Sequence, residues 1–409
     1  MALLAKIAWR NIWRNPRRSG VLISALAVGV FSFLGGIAYI DGFSLQMVNA
    51  AIERQGGHIQ VTGAGYHQNP TIRSYVDRKD EVEAELLELP DLRFAPQVRT
   101  PGMITSADQS AGTVIIGVDP DRERTVSGIP VSIVEGVYLS TDGADNEVVI
   151  GEALAQRLNV LLGERVVLMA NDLDNEISAG AFRVIGLFRT NSTDYDKAHV
   201  YLHQRQARDL VGYGANQVSA FTVHLDAGQD LSEVAGQLRA SLPTEELEIL
   251  TWRDRSPLLV MMSDFMNVAN VILVIILFSA IAFTLANSFI MVIFERIHEI
   301  GIMAAGGIRP GQIRLMLYLE ALFIVVLGML IGGMLAFALI VWWSSVGLDL
   351  TNFSEAMHSF GVAAVLYPYV DWEHVASGFA MIFIMVLLSV LYPAIKASRF
   401  KIVDAMHHV

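Results

Sequence analysis

Residues 265–294 read FMNVANVILVIILFSAIAFTLANSFIMVIF and contain no charged side chain. A helix that crosses the hydrocarbon core of a bilayer needs roughly 20 consecutive apolar residues. At about 1.5 Å per residue, this stretch is longer than that core. It therefore predicts a membrane-spanning helix that either tilts or extends beyond the membrane as a stalk.

Three further stretches, residues 20–40, 321–348 and 375–395, are also uncharged. The composition agrees, because 53% of the residues are hydrophobic and 17% are charged, whereas soluble domains carry about 25% charged residues. Buried helices of a soluble protein are a poor alternative for four such stretches at once. A cleaved signal peptide does not fit the first stretch, which is long and lacks a prompt small-x-small cleavage site. The sequence thus predicts a membrane protein with four transmembrane α-helices.

The positions of Lys and Arg predict how these helices are oriented. Outside residues 44–262, every Lys and Arg lies in the N-terminal segment, between the second and third spans, or in the C-terminal tail. The opposite short loop, residues 349–374, contains acidic residues but no Lys or Arg. Since basic loops stay in the cytoplasm, we expect both termini to be cytoplasmic and residues 44–262 to be periplasmic, with the chain in the bacterial inner membrane.

These signals divide the chain into nine predicted segments. They are a cytoplasmic amphipathic helix at 1–18, the first span at 19–43, a large α+β periplasmic domain at 44–262, a stalk-extended second span at 263–294, a cytoplasmic loop at 295–314, the third span at 315–348, a periplasmic loop at 349–374, the fourth span at 375–395 and a cytoplasmic tail at 396–409.

The segment 44–262 contains both strand and helix patterns. Residues 44–55 are predicted to continue the first span as a helix. Apolar patterns predict strands at 58–62, 112–118, 147–150, 199–202 and 221–225, and helices at 152–158, 205–211 and 231–242. Residues 165–169 and 182–188 are predicted to form a hairpin across a polar loop at 171–180. A segment of this size can bury a substantial core, so we expect one α+β domain.

The N-terminal residues 3–18, LLAKIAWRNIWRNPRR, form a basic amphipathic pattern. Lys6, Arg10, Arg14 and Arg17 recur at helical spacing and share one face, and Arg18 follows them. We interpret the segment as a helix in the inner interface whose basic residues face anionic headgroups. The alternative is that these charges serve only as a topology signal, and the two interpretations are compatible.

Small and polar residues also occur in the spans. Gly328, Gly332 and Ala336 recur every four residues, a pattern that allows helices to pack closely. Glu320 begins the third span, and three asparagines lie in the second. Hydrogen bonds between helices, or extension of Glu320 to the interface, are the simplest interpretations, although polar residues within membranes are often functional.

The sequence contains no signature of catalysis or of cofactor or metal binding. It has no cysteine, no G-x-x-x-x-G-K-[ST] phosphate loop, no G-x-S-x-G and no H-E-x-x-H. His199 and His203 are four residues apart, but they lie in a predicted strand segment, so we interpret them as surface histidines. The net charge of -12 argues against nucleic-acid binding. We therefore expect no enzyme activity and no cofactor in this chain.

The most recognisable stretch follows the second span. Residues 294–314, FERIHEIGIMAAGGIRPGQIR, resemble the coupling-helix region of the FtsX-like ABC transporter permeases. AWRNIWRNPRRSG at 8–20 and LYPAIKASRFKIVDAM at 391–406 resemble the two ends of that family. EVVIGEALAQRL at 147–158 resembles the periplasmic domain of its MacB, LolC and LolE group. The resemblance covers nearly the whole chain. The sequence departs from the family pattern at Ile402 and Val403, where the family often has proline, and the pair Gly306 and Gly307 varies a site that usually holds a small residue.

The resemblance implies a role that the pattern alone leaves open, since a short charged helix between two spans either docks a partner or merely connects them. Permeases of this family work as homo- or heterodimers with a dimer of a separate cytoplasmic ATPase, which binds ATP and Mg²⁺. The resemblance implies that the ATPase docks at Glu295, Arg296, Glu299, Ile300, Gly301, Ala304 and Gly306.

By the same resemblance, ATP hydrolysis moves the periplasmic domain through the second span and so extracts or exports a lipoprotein, a lipid or another amphiphile. Membrane lipids are expected partners, and a periplasmic lipoprotein chaperone or adaptor is a further candidate. The alternative is an FtsX-type transmembrane regulator of periplasmic cell-wall hydrolases, which the size and organisation of residues 44–262 disfavour. A membrane enzyme is disfavoured because the sequence shows no catalytic cluster.

Overall fold

The computed structural model describes residues 2–141, 146–226, 228–295, 297–354, 357 and 362–397. The chain divides into two compact units. The first comprises Met1–Leu45, Ser263–Asp349 and Val365–Val409, and the second comprises Gln46–Met262 and Leu350–Ala364.

The chain begins with two helices, α1 (Ala2–Arg14) and α2 (Pro16–Gln55). They are separate because Pro16 opens α2, where a residue without a backbone N–H is tolerated. The N–H groups of Arg18 and Ser19 both donate to the Asn15 carbonyl and close the first turn. Helix α2 includes residues 44–55 and measures roughly 60 Å at 1.5 Å per residue.

The second unit contains a mixed ten-stranded sheet with helices. In chain order its elements are β1 (Ile59–Gly63), α3 (Lys79–Glu88), β2 (Leu92–Thr105), β3 (Ser110–Val118), α4 (Pro120–Val126), β4 (Ile133–Gly136), β5 (Glu147–Gly151), α5 (Glu152–Leu158), β6 (Arg165–Asn171), β7 (Ile177–Phe188), α6 (Thr193–Asp196), β8 (His199–His203), α7 (Gln204–Val211), β9 (Ala220–Leu225), α8 (Leu231–Ser241), β10 (Leu247–Thr251) and α9 (Trp252–Arg255).

Hydrogen bonding orders the sheet β10-β1-β9-β2-β3-β8-β5-β7-β4, and β6 pairs with both β2 and β7. The pairs β3 with β8 and β5 with β7 are parallel. Because side chains alternate along a strand, Ile59 and Val61 of β1 enter an apolar core that α3, α5, α7 and α8 complete. Other positions of the neighbouring strands β1, β2 and β9 carry buried polar side chains, among them Gln60, Gln97 and Thr222.

The hairpin of β6 and β7 has longer strands than the sequence predicts. The predicted polar loop at 171–180 was too long, because β6 continues to Asn171 and β7 begins at Ile177. The Asp172 carboxylate tightens the turn by accepting hydrogen bonds from the N–H groups of Asp174 and Glu176, both at 2.9 Å.

The sequence does not predict β2, because Pro96 and Pro101 interrupt its pattern and proline is uncommon inside central strands. In the structure, Pro96 lies next to Gln97, where β2 changes its partner from β9 to β3. Pro101 lies next to Gly102, where β6 joins the other edge of β2. Both prolines thus stand at points where the hydrogen-bonding pattern changes.

The prediction that His199 and His203 are surface residues was wrong. His203 is 6% exposed, and its Nε2 lies 3.8 Å from the Glu147 carboxylate. The half-buried ring of His199 stacks on Tyr195, with ring centroids 3.7 Å apart. The reason is that β8 is an interior strand between β3 and β5, so its polar residues are covered as well as its apolar ones.

After the sheet the chain forms α10 (Pro257–Glu295), α11 (Ile297–Ala305), α12 (Pro310–Val346) and α13 (Trp372–Ala397). A short ladder of β11 (Leu348–Asp349) and β12 (Val365–Leu366) lies between α12 and α13 in the chain. Within the described residues, α2, α10, α12 and α13 are the four helices long and apolar enough to cross a membrane.

Candidate functional site: the segment between the second and third spans

Residues 295–314, named the α11 segment below, connect α10 to α12 through α11. Helix α11 ends at glycines: the Gly306 N–H donates to the Ile302 carbonyl at 2.9 Å, and the Ile308 N–H donates to the Met303 carbonyl at 3.1 Å. Gly307 has a φ of 89°, a left-handed conformation that glycine adopts without strain. The turn after α11 is therefore short and closed by backbone hydrogen bonds.

Helix α12 begins at Pro310, earlier than the predicted start of the third span at residue 315. Proline is favoured in the first helical turn because its missing N–H is not needed there. The Gln312 side chain accepts a hydrogen bond from the Arg309 N–H at 3.0 Å. Most of the predicted loop at 295–314 is thus helical.

The predicted docking residues that the structure describes differ in exposure. Glu295 and Gly306 are exposed, Glu299 is half-buried and Gly301 is buried. Ile297, at the start of α11, is buried at 7% exposure. Helix α11 is therefore anchored at its first residue and open to solvent near its end.

The side chains of the remaining predicted docking residues lie outside the described part of the chain. Arg296 is not among the described residues, and Ile300 and Ala304 are described only as backbone positions of α11. His298 and Ile302, which the sequence analysis does not single out, are exposed on the same helix. Helix α11 therefore presents both an ionisable and an apolar side chain on its exposed surface.

The two carboxylates of the α11 segment face arginines from the start of the chain. The Arg14 guanidinium pairs with Glu299, and the Arg18 guanidinium pairs with Glu295. Arg18 also donates through Nη2 to the Ser288 carbonyl at 3.0 Å. The pKa of Arg14 is raised above its usual value, because the hydrogen bond to Glu299 and the charge of that carboxylate both favour the guanidinium form.

The structure separates the five basic residues of the N-terminal segment into two groups. Lys6, Arg10 and Arg17 are exposed. Arg14 and Arg18 turn toward the carboxylates of the α11 segment instead. From the sequence we expected all five to face anionic headgroups, with Lys6, Arg10, Arg14 and Arg17 on one face of the helix. Helical spacing does not show which of them meet a partner from another helix.

Helix α1 is packed against the spans and presents Arg14 from a fixed position. Ala8 and Ile12 are fully buried. The Trp9 ring packs edge-to-face on Phe323 of α12, with ring centroids 5.3 Å apart.

A polar cavity of about 230 Å³ lies among α1, α2, α10, α11 and α12. Arg14, Arg18, Glu295 and Glu299 line it together with Glu320 of α12. Glu320 is 6% exposed, so its side chain is enclosed by the helices. Enclosure favours the interpretation that Glu320 bonds between helices, since a carboxylate that reached the interface would be exposed.

The predicted small-residue stripe of α12 lies against α2. A Cβ at Gly328 would come within 2.7 Å of the Leu26 side chain, and a Cβ at Gly332 would come within 2.4 Å of the Ala27 carbonyl oxygen. Ala336, the next residue of the stripe, is fully buried. The absence of larger side chains is what allows this approach.

Two contacts of the first unit join other helices to α2. Ser44 Oγ lies 3.3 Å from Ser263 Oγ of α10. His374 Nδ1, in the first turn of α13, lies 3.1 Å from the carboxylate of Asp41, which is 8% exposed. The sequence does not predict this pair, because its signal is only that each residue is ionisable and stands at the end of a span.

In the second unit, the chain leaves α2 and enters α10 through paired strands. Helix α2 ends at Gln55, shortly before β1, and β10 ends at Thr251, directly before α9 and α10. The two strands are antiparallel, with Ile59 opposite Thr251. The Trp252 N–H adds a hydrogen bond to the His58 carbonyl at 2.9 Å.

The junction beside these strands is basic. Arg255 donates through Nη2 to the Gly57 carbonyl at 2.5 Å. Burial and the neighbouring charge of Arg99 lower the pKa of Arg255 to about 10. The rings of His58 and His224 meet edge-to-face at 5.1 Å, and burial lowers the pKa of His224 to about 4. Burial also lowers the pKa of His58, because it disfavours the charged form. Both imidazoles are therefore neutral near pH 7.

Among the described residues, no three His, Asp or Glu side chains form a group that could hold a metal ion. The described residues of the α11 segment supply exposed charge and an exposed isoleucine.

Two family models match the chain. The MacB-like periplasmic core domain matches residues 19–241, which is more than half of the chain. The FtsX-like permease C-terminal model matches residues 270–402 and includes the whole α11 segment.

Individual relatives are distant but extend along the chain. The chain is 21% identical to the lipoprotein-releasing system transmembrane protein LolC of Neisseria meningitidis serogroup B, over 95% of this chain and 93% of LolC. It is 23% identical to the macrolide export ATP-binding/permease protein MacB of Bdellovibrio bacteriovorus, over 98% of this chain but only 61% of that MacB. The solved periplasmic region of MacB from Actinobacillus actinomycetemcomitans is 16% identical with a TM-score of 0.36, over 48% of this chain and 90% of that chain.

The family assignment rests on the two family models and not on the structural likeness. The apolar helices together with the LolC and MacB relatives identify a multi-pass protein of the inner membrane, with the sheet domain between its first and second membrane helices. The chain belongs to the FtsX-like ABC transporter permeases that carry a MacB-like periplasmic core domain, the group of MacB, LolC and LolE.

Proposed function

We propose that this permease couples ATP hydrolysis by a separate cytoplasmic ATPase to movement of its periplasmic domain, and that this movement extracts or exports a lipoprotein, a lipid or another amphiphile. The observation that carries the proposal is the course of α10, a single helix from Pro257 to Glu295 that follows β10 and leads into the α11 segment. At 1.5 Å per residue it measures roughly 58 Å, about twice the thickness of a hydrocarbon core.

A helix of this length can transmit a displacement because all its backbone hydrogen bonds are internal. Helix α2 has a similar length and leads into β1, the hydrogen-bonded partner of β10. Strand β10 is an edge strand of the sheet. In this proposal, a push on α11 displaces that edge of the periplasmic domain.

The α11 segment is the ATPase docking surface in this proposal. Its exposed residues Glu295, His298 and Ile302 offer charge and an apolar contact, while the buried Ile297 fixes the helix to the spans. The excess of Lys and Arg in the two termini and in this segment supports a cytoplasmic location for all three. ATP and Mg²⁺ bind the ATPase in this proposal, which the missing phosphate loop supports.

The names of two relatives, a lipoprotein-releasing transmembrane protein and a macrolide exporter, support a substrate with an apolar part. The proposed partners are the ATPase dimer, a second permease that is either a copy or a related chain, and membrane lipids. A periplasmic chaperone or adaptor that receives the substrate is a further proposed partner.

Charge reversal on the docking surface tests the proposal. The wild-type permease, purified from its own membranes, should bring an ATPase with it and raise the ATPase activity above that of the isolated ATPase. Glu299→Lys should insert normally but lose that increase, because it reverses the charge that the α11 segment offers to the ATPase. Arg14→Gln removes the partner of Glu299 within the chain and leaves the carboxylate, so it should keep the increase and thereby separate a loss of docking from the loss of this ion pair. Glu88→Lys, the same change at an exposed position of α3, is the matched control. An unchanged increase in Glu299→Lys would contradict the docking role.

A further inference from the structure

The proposed route runs along α10, but the structure contains a second connection from the α11 segment. Arg14 ends α1 and Arg18 lies in the first turn of α2. They pair directly with Glu299 and Glu295, and all four residues line the polar cavity. The paired residues are 285 and 277 positions apart in the sequence. Only the packing of the first unit brings them together.

We propose that Arg14 and Arg18 are positioning residues that hold the α11 segment to the end of α1 and to the start of α2, so that a displacement of α11 moves α2 together with α10. The two ion pairs are named the arginine clamp. The inference rests on the proposed function, because it assigns a second path within the same coupling movement.

The paired strands explain why a second path is needed. Helix α2 leads into β1 and α10 leads into β10, and these strands are in register from Ile59 with Thr251 to Gly63 with Leu247. If α10 moved alone, β10 would have to slide along β1 and break this ladder of backbone hydrogen bonds. If both helices move together, this ladder stays intact, and β1 also remains paired with β9 on its other edge when the whole sheet moves with them.

The two arginines differ in their surroundings. The Arg18 side chain is 22% exposed and the Arg14 side chain is 65% exposed. Arg18 also bonds the Ser288 carbonyl of α10 at 3.0 Å, so it joins α2 to α10 at two points. Since exposed ion pairs are weak and screened by salt, Arg18 is expected to contribute more to the clamp than Arg14.

The other basic residues of the N-terminal segment provide a matched control. Lys6, Arg10 and Arg17 are exposed, and neutralising them removes three positive charges without touching the clamp. If the N-terminal charges act only on anionic headgroups, the variant Lys6→Gln/Arg10→Gln/Arg17→Gln should have a larger effect than Arg14→Gln/Arg18→Gln. The clamp predicts the opposite order.

The absence of cysteine from the chain allows one spin label at a time to report on each helix. Asn49→Cys places a label on α2 and Met261→Cys places one on α10, both at exposed positions. The permease with its ATPase, purified from native membranes, is compared without nucleotide and after trapping with MgATP and orthovanadate. In the otherwise wild-type complex, both labels should change their spectra on trapping.

In Arg14→Gln/Arg18→Gln, the α10 label should still respond and the response of the α2 label should be lost. Arg14→Lys/Arg18→Lys keeps both charges and should restore most of that response, and the triple glutamine variant should leave both responses intact. If the double glutamine variant fails to reach the membrane, Arg18→Gln alone should show a partial loss at α2.

A normal response of the α2 label in Arg14→Gln/Arg18→Gln would overturn the clamp, and so would an equal loss in the triple variant. If neither label responds in the wild-type complex, the proposed function itself fails, and the clamp fails with it. The two failures are therefore distinguishable.

Discussion

Ile59 of β1 and Thr251 of β10 are register partners. Ile59 begins the strand that follows α2, and Thr251 ends the strand that precedes α9 and α10. The hydrogen bond from the Trp252 N–H to the His58 carbonyl continues the pairing beyond the strands. The membrane helices α2 and α10 thus lead into one hydrogen-bonded ladder. Any force that reaches the periplasmic domain through these helices acts first on that ladder.

A disulfide between residues 44 and 263 should form if α2 and α10 pack as described. The two serine Oγ atoms are 3.3 Å apart, which is compatible with the short Cβ separation of about 4 Å that a disulfide needs. Because the chain has no cysteine, Ser44→Cys/Ser263→Cys should give one intramolecular bond on mild oxidation. Proteolysis between the two positions should then leave the fragments joined on a non-reducing gel.

The control for this cross-link is Ser44→Cys/Asp264→Cys, in which the second cysteine is turned about 100° around α10. Efficient cross-linking of the control, or none in the test pair, would show that the two helices pack differently.

The adjacent glycines Gly332 and Gly333 should respond differently to alanine. A Cβ at Gly332 would lie 2.4 Å from the Ala27 carbonyl and 2.9 Å from the Val30 Cβ, whereas one at Gly333 would meet only Phe379 at 3.8 Å. Gly332→Ala should lower the free energy of unfolding by about 1–3 kcal/mol, since an added group in a tight contact forces the helices apart. Gly333→Ala should be neutral or slightly stabilising, because alanine favours the helix.

Thermal or denaturant unfolding of the purified permease in detergent would compare the two glycine variants directly. Equal stability of Gly332→Ala and Gly333→Ala would mean that α12 does not pack on α2 through this stripe.

The periplasmic domain should lose stability as the pH falls from about 6.5 to about 4. Burial lowers the pKa of His199 and of His224 to about 4 each, whereas an unfolded histidine has a pKa of about 6.5. Between these two pKa values the unfolded state binds more protons than the folded state. The stability that comes from keeping the two histidines neutral is therefore complete above about pH 6.5 and is lost as the pH falls toward about 4. Each histidine contributes at most about 3 kcal/mol to this dependence.

The measurement is hydrogen exchange of the domain within the whole permease as a function of pH. Burial raises the pKa of Glu123, so protonation of this carboxyl favours the folded state as the pH falls and opposes the effect of the histidines. The decisive quantity is therefore the difference in pH dependence between wild type and His199→Asn/His224→Asn. The variant should have a flatter pH dependence; an unchanged slope would show that other groups cause the loss of stability.

The membrane helices could be predicted because a charged group is so unfavourable in lipid that spans must be uncharged, and uncharged stretches of this length are rare in soluble domains. Strand β2 was hidden, since Pro96 and Pro101 mask the alternation on which strand prediction depends. The contacts of Asp41 with His374 and of Arg14 with Glu299 could not be predicted either. Spacing rules relate residues within one helix or strand, whereas these pairs depend on how separate helices pack.

Nucleotide binding by the proposed ATPase should displace the ends of α2 and α10 that lead into β1 and β10. Spin labels at Asn49→Cys and Met261→Cys, at exposed positions of those two helices, compare the nucleotide-free complex with the complex trapped by MgATP and orthovanadate. Both labels should change their spectra on trapping, and neither should respond in Glu299→Lys. Two unchanged spectra, in a complex that hydrolyses ATP, would refute the proposed coupling.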